Sequence, residues 1–294
     1  MLFQEDLMDL PEDVFRLLRD YIRDYCGMYF DDNSKYLLQR RLTRRVRLHQ
    51  FKSFKDYYHF LTYDRRKEEE LVEVIDSLTT NETYFFREEA QLKAFTDEIV
   101  PEIAKRKEDR TLRIWSAGCS TGEEPYTIAM LLMEKGYCPG WDIEIIGSDI
   151  NQKVLGSARR AIYKKSAFRT TDDRRLARFF KEDSPGNYKI ADEVRKMVSF
   201  SYLNLFDPYK LSFLKDFDLI FCRNVIIYFD MDSKKKLVET FYNKLVPGGY
   251  LLLGHAESLM NISAAFKLVH LTNDMVYQKP AKVGVGAPIC RDGR

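Results

Sequence analysis

The sequence predicts an α/β chain in which an all-α N-terminal domain precedes a doubly wound sheet that carries a small inserted β-subdomain. Three observations point there. Residues 1–78 show helical periodicity without a strand pattern; from Arg113 onward short apolar runs alternate with helical stretches; and residues 169–197 interrupt that alternation. With 294 residues, 45% of them apolar, the chain has material for one full core and a smaller second one.

The helical domain, expected over 1–78, opens with "PEDVFRLLRDYIRDYCG", which begins at Pro11 and stops at Gly27. Next, "SKYLLQRRLTRRVRLHQF" puts Leu38, Leu42 and Val46 at i, i+4 and i+8 as an apolar seam. Arg40, Arg44 and Arg47 share another face, with Arg41 and Arg45 beside it. Residues 1–34 hold nine acidic side chains against three basic, whereas residues 35–55 hold eight basic and none acidic. An arginine face without interleaved acids reads as a site for an anionic partner; the plainer alternative is a solvated face whose arginine stems cover core edges. "SFKDYYHFLTYD" and "KEEELVEVIDSLTT" complete the helices.

The connector, 79–110, combines a polar loop, an amphipathic helix and a charged turn. The sheet domain is expected over 111–280, with strands in "LRIWSA", "IEIIGSD", "MVSFSYL", "FDLIFCR", "GGYLLLGH", "FKLVHL" and "MVYQK". Inside the insertion a helical half leads to a loop, "KEDSPGN", and then to "YKIADEVRK", expected as strand, turn and strand. The tail, 281–294, lacks periodicity and is expected to be disordered.

Composition narrows the function classes. Apolar runs such as "YLLLG" fall far short of the roughly 20 residues that span a bilayer, and the acidic start lacks a basic signal-peptide n-region, so a cytoplasmic protein without direct membrane insertion is expected. Five scattered cysteines suit reduced thiols. Four histidines and no CxxC predict no metal site.

Chemistry concentrates in "RIWSAGCSTGEEPYTIA", where a strand ends in Gly118-Cys119-Ser120-Thr121-Gly122 and opens a helix. Glycines allow a tight turn and close approach of backbone to a ligand. The loop has neither the third glycine of a dinucleotide fingerprint nor the G-K-[ST] of a phosphate loop. Glu123 and Glu124 would repel phosphate, favouring a ligand with a positive or neutral face such as the methionine moiety of S-adenosylmethionine; otherwise both merely complement the helix dipole. Asp149 closes the next strand, where a carboxylate meets ribose hydroxyls or caps the following helix. Asn204 and Leu205, after the third strand, would offer an amide and a backbone group to an adenine edge.

"TTNETYFFRE", "WSAGCSTGEEPYTIA", "GSDI", "FCRNVIIYFD" and "GHAES", in this order behind an arginine-rich helical domain, resemble the CheR family of chemotaxis receptor methyltransferases across roughly residues 10–279. The resemblance implies a Rossmann-like class I methyltransferase sheet. It also implies transfer of a methyl group from S-adenosylmethionine to glutamate side chains of a receptor's cytoplasmic helical bundle, leaving S-adenosylhomocysteine. Ligand contacts are implied at Asn81, Thr83, Arg87, Glu124, Asp149, Asn204 and Leu205, with Arg223, Asn224 and Tyr228 lining the site. An ionised glutamate needs no general base, only in-line approach to the sulfonium methyl in a water-poor cleft. Arg87 is therefore assigned to the cofactor's carboxylate and to positioning, and Tyr228 to walling the methyl channel and orienting the incoming oxygen. Cys119 is read as a turn residue.

Alternatives are a nucleic-acid or other protein methyltransferase, or a non-catalytic S-adenosylmethionine-dependent scaffold. Against an amino-directed nucleic-acid enzyme, the fourth strand leads into Arg223-Asn224-Val225-Ile226 instead of an N-P-P-Y type motif. Against a scaffold, the "NxTxFFR" block and Tyr228 are intact. Receptor docking is assigned to Arg40, Arg41, Arg44 and Arg47, in a monomer recruited to membrane-bound receptor arrays. Some family members capture a receptor's C-terminal pentapeptide on the edge of the inserted subdomain, which in them carries a longer glycine-rich loop. With Gly186 as the single glycine in "KEDSPGN", no pentapeptide tethering is expected here.

Overall fold

The computed structural model describes residues 7–281; the tail expected to be disordered lies, from 282 on, outside the described residues. Four helices open the chain. α1 (Glu12–Cys26) buries Val14, Phe15, Leu18, Ile22 and Cys26 on one stripe, with Glu12 and Asp13 in its first turn and Arg23 in its last, complementing the helix dipole. α2 (Lys35–Leu48) buries the seam of Leu38, Leu42 and Val46 as the spacing predicts. α3 (Phe54–Tyr63) starts at Ser53, whose hydroxyl accepts from Asp56 N, and α4 (Lys67–Leu78) closes the group. The connector continues as α5 (Glu89–Ala94), a π turn (Phe95–Ile99) and α6 (Val100–Arg106).

The sheet domain follows with β1 (Thr111–Ala117), α7 (Glu123–Glu134), β2 (Asp142–Asp149), α8 (Gln152–Arg160), β3 (Ile162–Lys164), α9 (Asp173–Phe179), β4 (Phe180–Ser184), β5 (Asn187–Ile190), α10 (Asp192–Lys196), β6 (Val198–Tyr202), α11 (Pro208–Ser212), β7 (Phe217–Cys222), α12 (Met231–Lys244), β8 (Leu245–Leu253), β9 (Lys267–His270) and β10 (Met275–Gln278). Seven strands form the main sheet in the order β6-β2-β1-β7-β8-β10-β9. β6 through β8 run parallel, and β10 pairs antiparallel with both β8 and β9.

The insertion differs from its expected layout. The second sheet, β3-β5-β4, takes in Ile162–Lys164, upstream of residue 169. "KEDS", expected in a loop, is strand β4, and Pro185-Gly186 forms the turn of a hairpin whose return strand is β5. "DEVRK", expected to close a hairpin, is the short helix α10. β4 is almost wholly exposed, so no alternation of buried and exposed residues marks it as a strand.

Alternate residues of each strand face opposite sides, and the two apolar cores follow that alternation. One core gathers Trp115, Ala117, Ile220, Cys222, Leu251 and Leu253 together with the seams of α1 to α4. The other gathers Leu112, Ile114, Leu219, Phe221, Tyr250 and Leu252 with the connector, α7 and the insertion. The helical domain thus shares its core with one face of the sheet. Polar contacts reinforce the junction. Met28 bridges Phe229, and Tyr29 N donates to Tyr228 O at 2.9 Å.

At the start of α8, Asn151 accepts from Lys153 N and Val154 N at 2.9 and 3.1 Å, while Gln152 N donates to Asp76 Oδ1 of α4 at 3.0 Å. A residue of the helical domain therefore completes a cap in the sheet domain. Asp76→Ala is expected to cost about 1–2 kcal/mol of stability, and Asp76→Asn, which keeps an acceptor, less. Urea denaturation midpoints check this; an unchanged midpoint for Asp76→Ala would show that the cap contributes nothing.

Candidate active site

The chain changes direction in the sheet at β1, with β2 and β6 added on one side and β7 and β8 on the other. Carboxyl ends of strands at such a switch point open a crevice. Here the helical domain and the connector roof it, leaving a cavity of about 490 Å³, within the roughly 300–1,000 Å³ of small-molecule sites. Asn81, Thr83 and Arg87 line it from the connector, Glu124 from α7, Asp149 from β2, Asn204 and Leu205 beyond β6, and Arg223, Asn224 and Tyr228 beyond β7.

The glycine turn forms the floor. Gly118 and Gly122 take φ of 80° and 93°, in the left-handed region. A Cβ on Gly118 would lie 2.4 Å from the Val225 side chain, and one on Gly122 2.9 Å from Ala158 Cβ, so close packing as well as dihedral excludes larger residues. Ser120 N donates to Asp149 Oδ2 at 2.8 Å, and Asn151 N donates to Asp149 Oδ1 at 2.9 Å. Asn151, not Asp149, supplies the side-chain cap of α8, which leaves Asp149 facing the cavity. Burial pushes its carboxyl above the ordinary range.

Beside this turn lies a buried charge cluster. Arg223, with 3% of its side chain exposed, donates to Glu88 Oε2 at 3.0 and 3.3 Å, to Arg87 O at 2.6 Å and to Glu124 Oε2 at 3.2 Å. Glu124 Oε1 accepts from Ser116 Oγ at 2.7 Å. Burial raises the Glu124 carboxyl, and Arg223 opposes that shift. Glu88 is shared between Arg223 and Arg87, the latter at 3.9 Å, whereas Glu124 and Asp149 face the cavity and give its floor carboxylates suited to an ammonium group.

Several nominated residues also make contacts within the chain that sequence reasoning did not assign. The Asn204 amide, expected to face an adenine edge, donates to Tyr25 O at 2.6 Å and accepts from Phe206 N at 3.0 Å, pinning the end of β6 to α1. Arg41 does not join Arg40, Arg44 and Arg47 on the exposed face of α2. Its guanidinium turns inward, donates to Leu78 O and to Thr80 Oγ1, and lines the cavity. Arg45 pairs with Glu70 and Glu73. Arg87 donates to Glu82 O at 3.2 Å. Asn224 adopts φ 59°, and its Oδ1 is buried without a hydrogen-bond partner among the described residues.

Two acids were missed. Glu88 closes the quoted "FFRE" and Glu257 sits in "GHAES", but neither motif alone assigns a partner. The Glu257 carboxylate accepts from Gly254 N, Asn224 N, Val225 N and Ile227 N at 2.7 to 3.3 Å, fixing the turn that presents Asn224 and Tyr228. Among the described residues no group of three or more His, Cys, Asp or Glu is arranged to hold a metal ion.

Comparison with known proteins agrees with this geometry. Residues 81–275 match the family described as CheR methyltransferase, SAM binding domain, and residues 13–79 match CheR methyltransferase, all-alpha domain. The chain belongs to the CheR methyltransferase family. A CheR relative, chemotaxis protein methyltransferase 2 of Vibrio cholerae serotype O1, is 38% identical over 274 residues, 91% of this chain and 93% of its own. The chemotaxis protein methyltransferases of Borreliella burgdorferi and Salmonella typhimurium are each 35% identical, covering 84% and 88% of this chain and 88% of their own lengths. S-adenosylmethionine is the cofactor of this CheR domain. The cavity fits it: the acidic floor suits its ammonium group, the orphaned Asn224 Oδ1 awaits a donor, and Cys26, Met28 and Leu203 offer apolar wall to a ring.

Glu123, unlike Glu124, is buried away from the cavity and accepts from Thr121 Oγ1 at 2.6 Å. Burial pushes its carboxyl up from 4.5 to about 7. A raised carboxyl favours the folded state below the unfolded pKa, and that contribution is lost as pH rises through the folded value, here between about 4.5 and 7. Glu123→Gln is therefore expected to stabilise the protein at pH 8 by about 1–3 kcal/mol and to change little at pH 5. Denaturant midpoints at both pH values test this; equal effects at the two would refute a titrating Glu123.

Proposed function

We propose that the protein transfers the methyl group of S-adenosylmethionine to glutamate side-chain carboxylates of chemotaxis receptors, forming methyl esters. The carrying observation is a cavity that the described residues line with carboxylates and arginines but no histidine, with its cysteines held as thiols. Burial raises Cys119 well above the usual thiol range and Cys26 to about 12, so neither is a nucleophile at neutral pH. Such a site suits an acceptor that already carries its charge. When bound, S-adenosylmethionine would supply a sulfonium methyl to a carboxylate oxygen, the new C–O bond replacing the C–S bond, whose electron pair would stay on sulfur, with no proton to move.

The chain's own residues bind, orient and exclude water. Glu124, Asp149, Asn81 and Thr83 hold the cofactor, with Arg87 at its carboxylate; Asn204 and Leu205 shape the adenine end; Arg223 and Asn224 set the floor. The Tyr228 hydroxyl orients the incoming oxygen while its ring narrows the mouth. Opposite charges vanish as the ester forms, so water-poor surroundings favour the reaction.

Exposed Arg40, Arg44 and Arg47 dock acidic receptor helices, and Arg41, given its inward bonds, serves the connector instead. The chain works as a monomer and reads no nucleic acid. Pentapeptide capture is not part of this reading, because one edge strand of the small sheet, β4, is bulged between Glu182 and Ser184 and ends in a two-residue turn, and the other, β3, has only 3 residues, which leaves little regular edge for an added strand. No described helix is long and apolar enough to cross a membrane, and the enzyme meets its membrane receptors from the cytoplasmic side.

Two experiments test these assignments. Label carried from S-adenosylmethionine into receptor-bearing membranes is expected to leave as volatile methanol under mild alkali; alkali-stable label would indicate nitrogen or carbon methylation and end the ester reading. Reversing Arg40 and Arg44 to Glu is expected to raise the receptor KM, more at low salt, with unchanged calorimetric affinity for the cofactor, whereas Arg41→Ala weakens that affinity. Loss of cofactor affinity in the double reversal would contradict this division.

A further inference from the structure

The insertion packs against the parts of the chain that build the cavity. Tyr163 of β3 donates to Thr121 O in the glycine turn at 2.7 Å. Phe85 of the connector is held through both its backbone polar groups, its N–H by Ala167 O at 3.0 Å and its carbonyl by Thr170 Oγ1 at 2.7 Å. Its ring lies in a cluster with Tyr163, Phe168 and Phe180, centroids 4.8 to 5.4 Å apart.

Within this contact one exposed residue stands out. Arg169 donates to Glu82 Oε1 at 2.9 Å, and its guanidinium lies 3.7 Å over the Tyr84 ring. Arg87 touches the same two residues from the cavity side. It donates to Glu82 O at 3.2 Å, and its guanidinium lies 5.6 Å over the Tyr84 ring. Glu82 therefore accepts from both arginines, through its carboxylate and through its carbonyl, and Tyr84 offers its ring to both.

We propose that Arg169 is a positioning residue for methyl transfer, holding Glu82 and Tyr84 so that they fix the guanidinium of Arg87 in the cavity. The inference rests on the assignment of Arg87 to the cofactor site. Stability does not require Arg169. The pair is open to solvent, with 49% of the Arg169 and 73% of the Glu82 side chain exposed, and such pairs contribute little to folding. The aromatic cluster and the two bonds to Phe85 already anchor the insertion. What Arg169 adds is orientation, since a planar guanidinium can stack on a ring and pair with a carboxylate at once, which an ammonium cannot match. Among the described residues Arg87 has no carboxylate closer than Glu88 Oε1 at 3.9 Å to fix it otherwise.

A double-mutant cycle decides the matter. Full-length Arg169→Ala, Arg169→Lys, Arg87→Ala and the Arg169→Ala/Arg87→Ala double variant are assayed with receptor-bearing membranes, with melting temperatures recorded for each. Arg169→Ala is expected to lower kcat over cofactor KM about three- to tenfold without moving the receptor KM or the melting temperature, and Arg169→Lys to recover part of the loss. In the Arg87→Ala background, removing Arg169 is expected to change kcat over cofactor KM less than about twofold. An equal loss in both backgrounds, no loss in either, or a loss confined to the receptor KM overturns the proposal while leaving the cofactor site standing. A silent Arg87→Ala removes the site assignment itself, and the proposal with it.

Discussion

The Arg223 guanidinium is the contact on which the site's construction depends. It follows β7, yet its partners are a carbonyl and a carboxylate of the connector and a carboxylate of α7, so three separate stretches of chain meet on one side chain. Desolvating that many charges is costly, and it is tolerable because each has a partner. Removing Arg223 alone would leave Glu88 and Glu124, each mostly shielded from solvent, without the cation they share. The acidic floor thus exists through a buried base, and the same base holds the connector at the height from which Asn81, Thr83 and Arg87 reach inward.

The division of the apolar core explains why this cluster stays buried. The cores separate at the plane of the sheet, so the helical domain and one sheet face form a single packed body. A roof built on the same core as the strand ends beneath it has little freedom to swing away as a unit. The Met28–Phe229 bridge, the Asp76 cap on α8 and the Arg41 contacts with the connector occur at this junction, where the two families of elements already touch. Two families in sequence therefore need not mean two independently packed domains.

That distinction marks how far the sequence could be read. The seam of Leu38, Leu42 and Val46 and the run Phe217–Cys222 announce themselves because period and burial agree over enough residues. The residues nominated for the cofactor site meet in one cavity because they sit near strand ends and in the connector loop, which the fold class brings together. Local pattern failed where long-range contact decides. Three residues of β3 carry too little period, β4 is exposed nearly throughout, and α10 is barely more than one turn. Arg41 sits one residue from Arg40 in a basic run; only the distant placement of Leu78 and Thr80 turns it inward. Glu257 is similar, since no motif spacing reveals four backbone donors from two loops.

In the proposed reading, charge would act on the acceptor in successive layers. Exposed arginines of α2 would be the outermost layer, where attraction is long in range and screened by salt. An apolar rim comes next, for Tyr29, Leu37, Ile227 and Tyr228 are exposed hydrophobic residues that also line the cavity. Carboxylates form the deepest layer. An acceptor glutamate would be drawn in by the first, stripped of water by the second and kept from settling by the third, because a floor bearing negative charge disfavours a free carboxylate at rest. A cationic floor would instead hold the acceptor tightly in its ground state and oppose the loss of charge that accompanies esterification. In the proposed reading the acidic floor and the arginines of α2 are therefore consistent with each other: the arginines would act before the cofactor's positive charge is met, and the floor would leave the sulfonium as the strongest attraction at the end of the path.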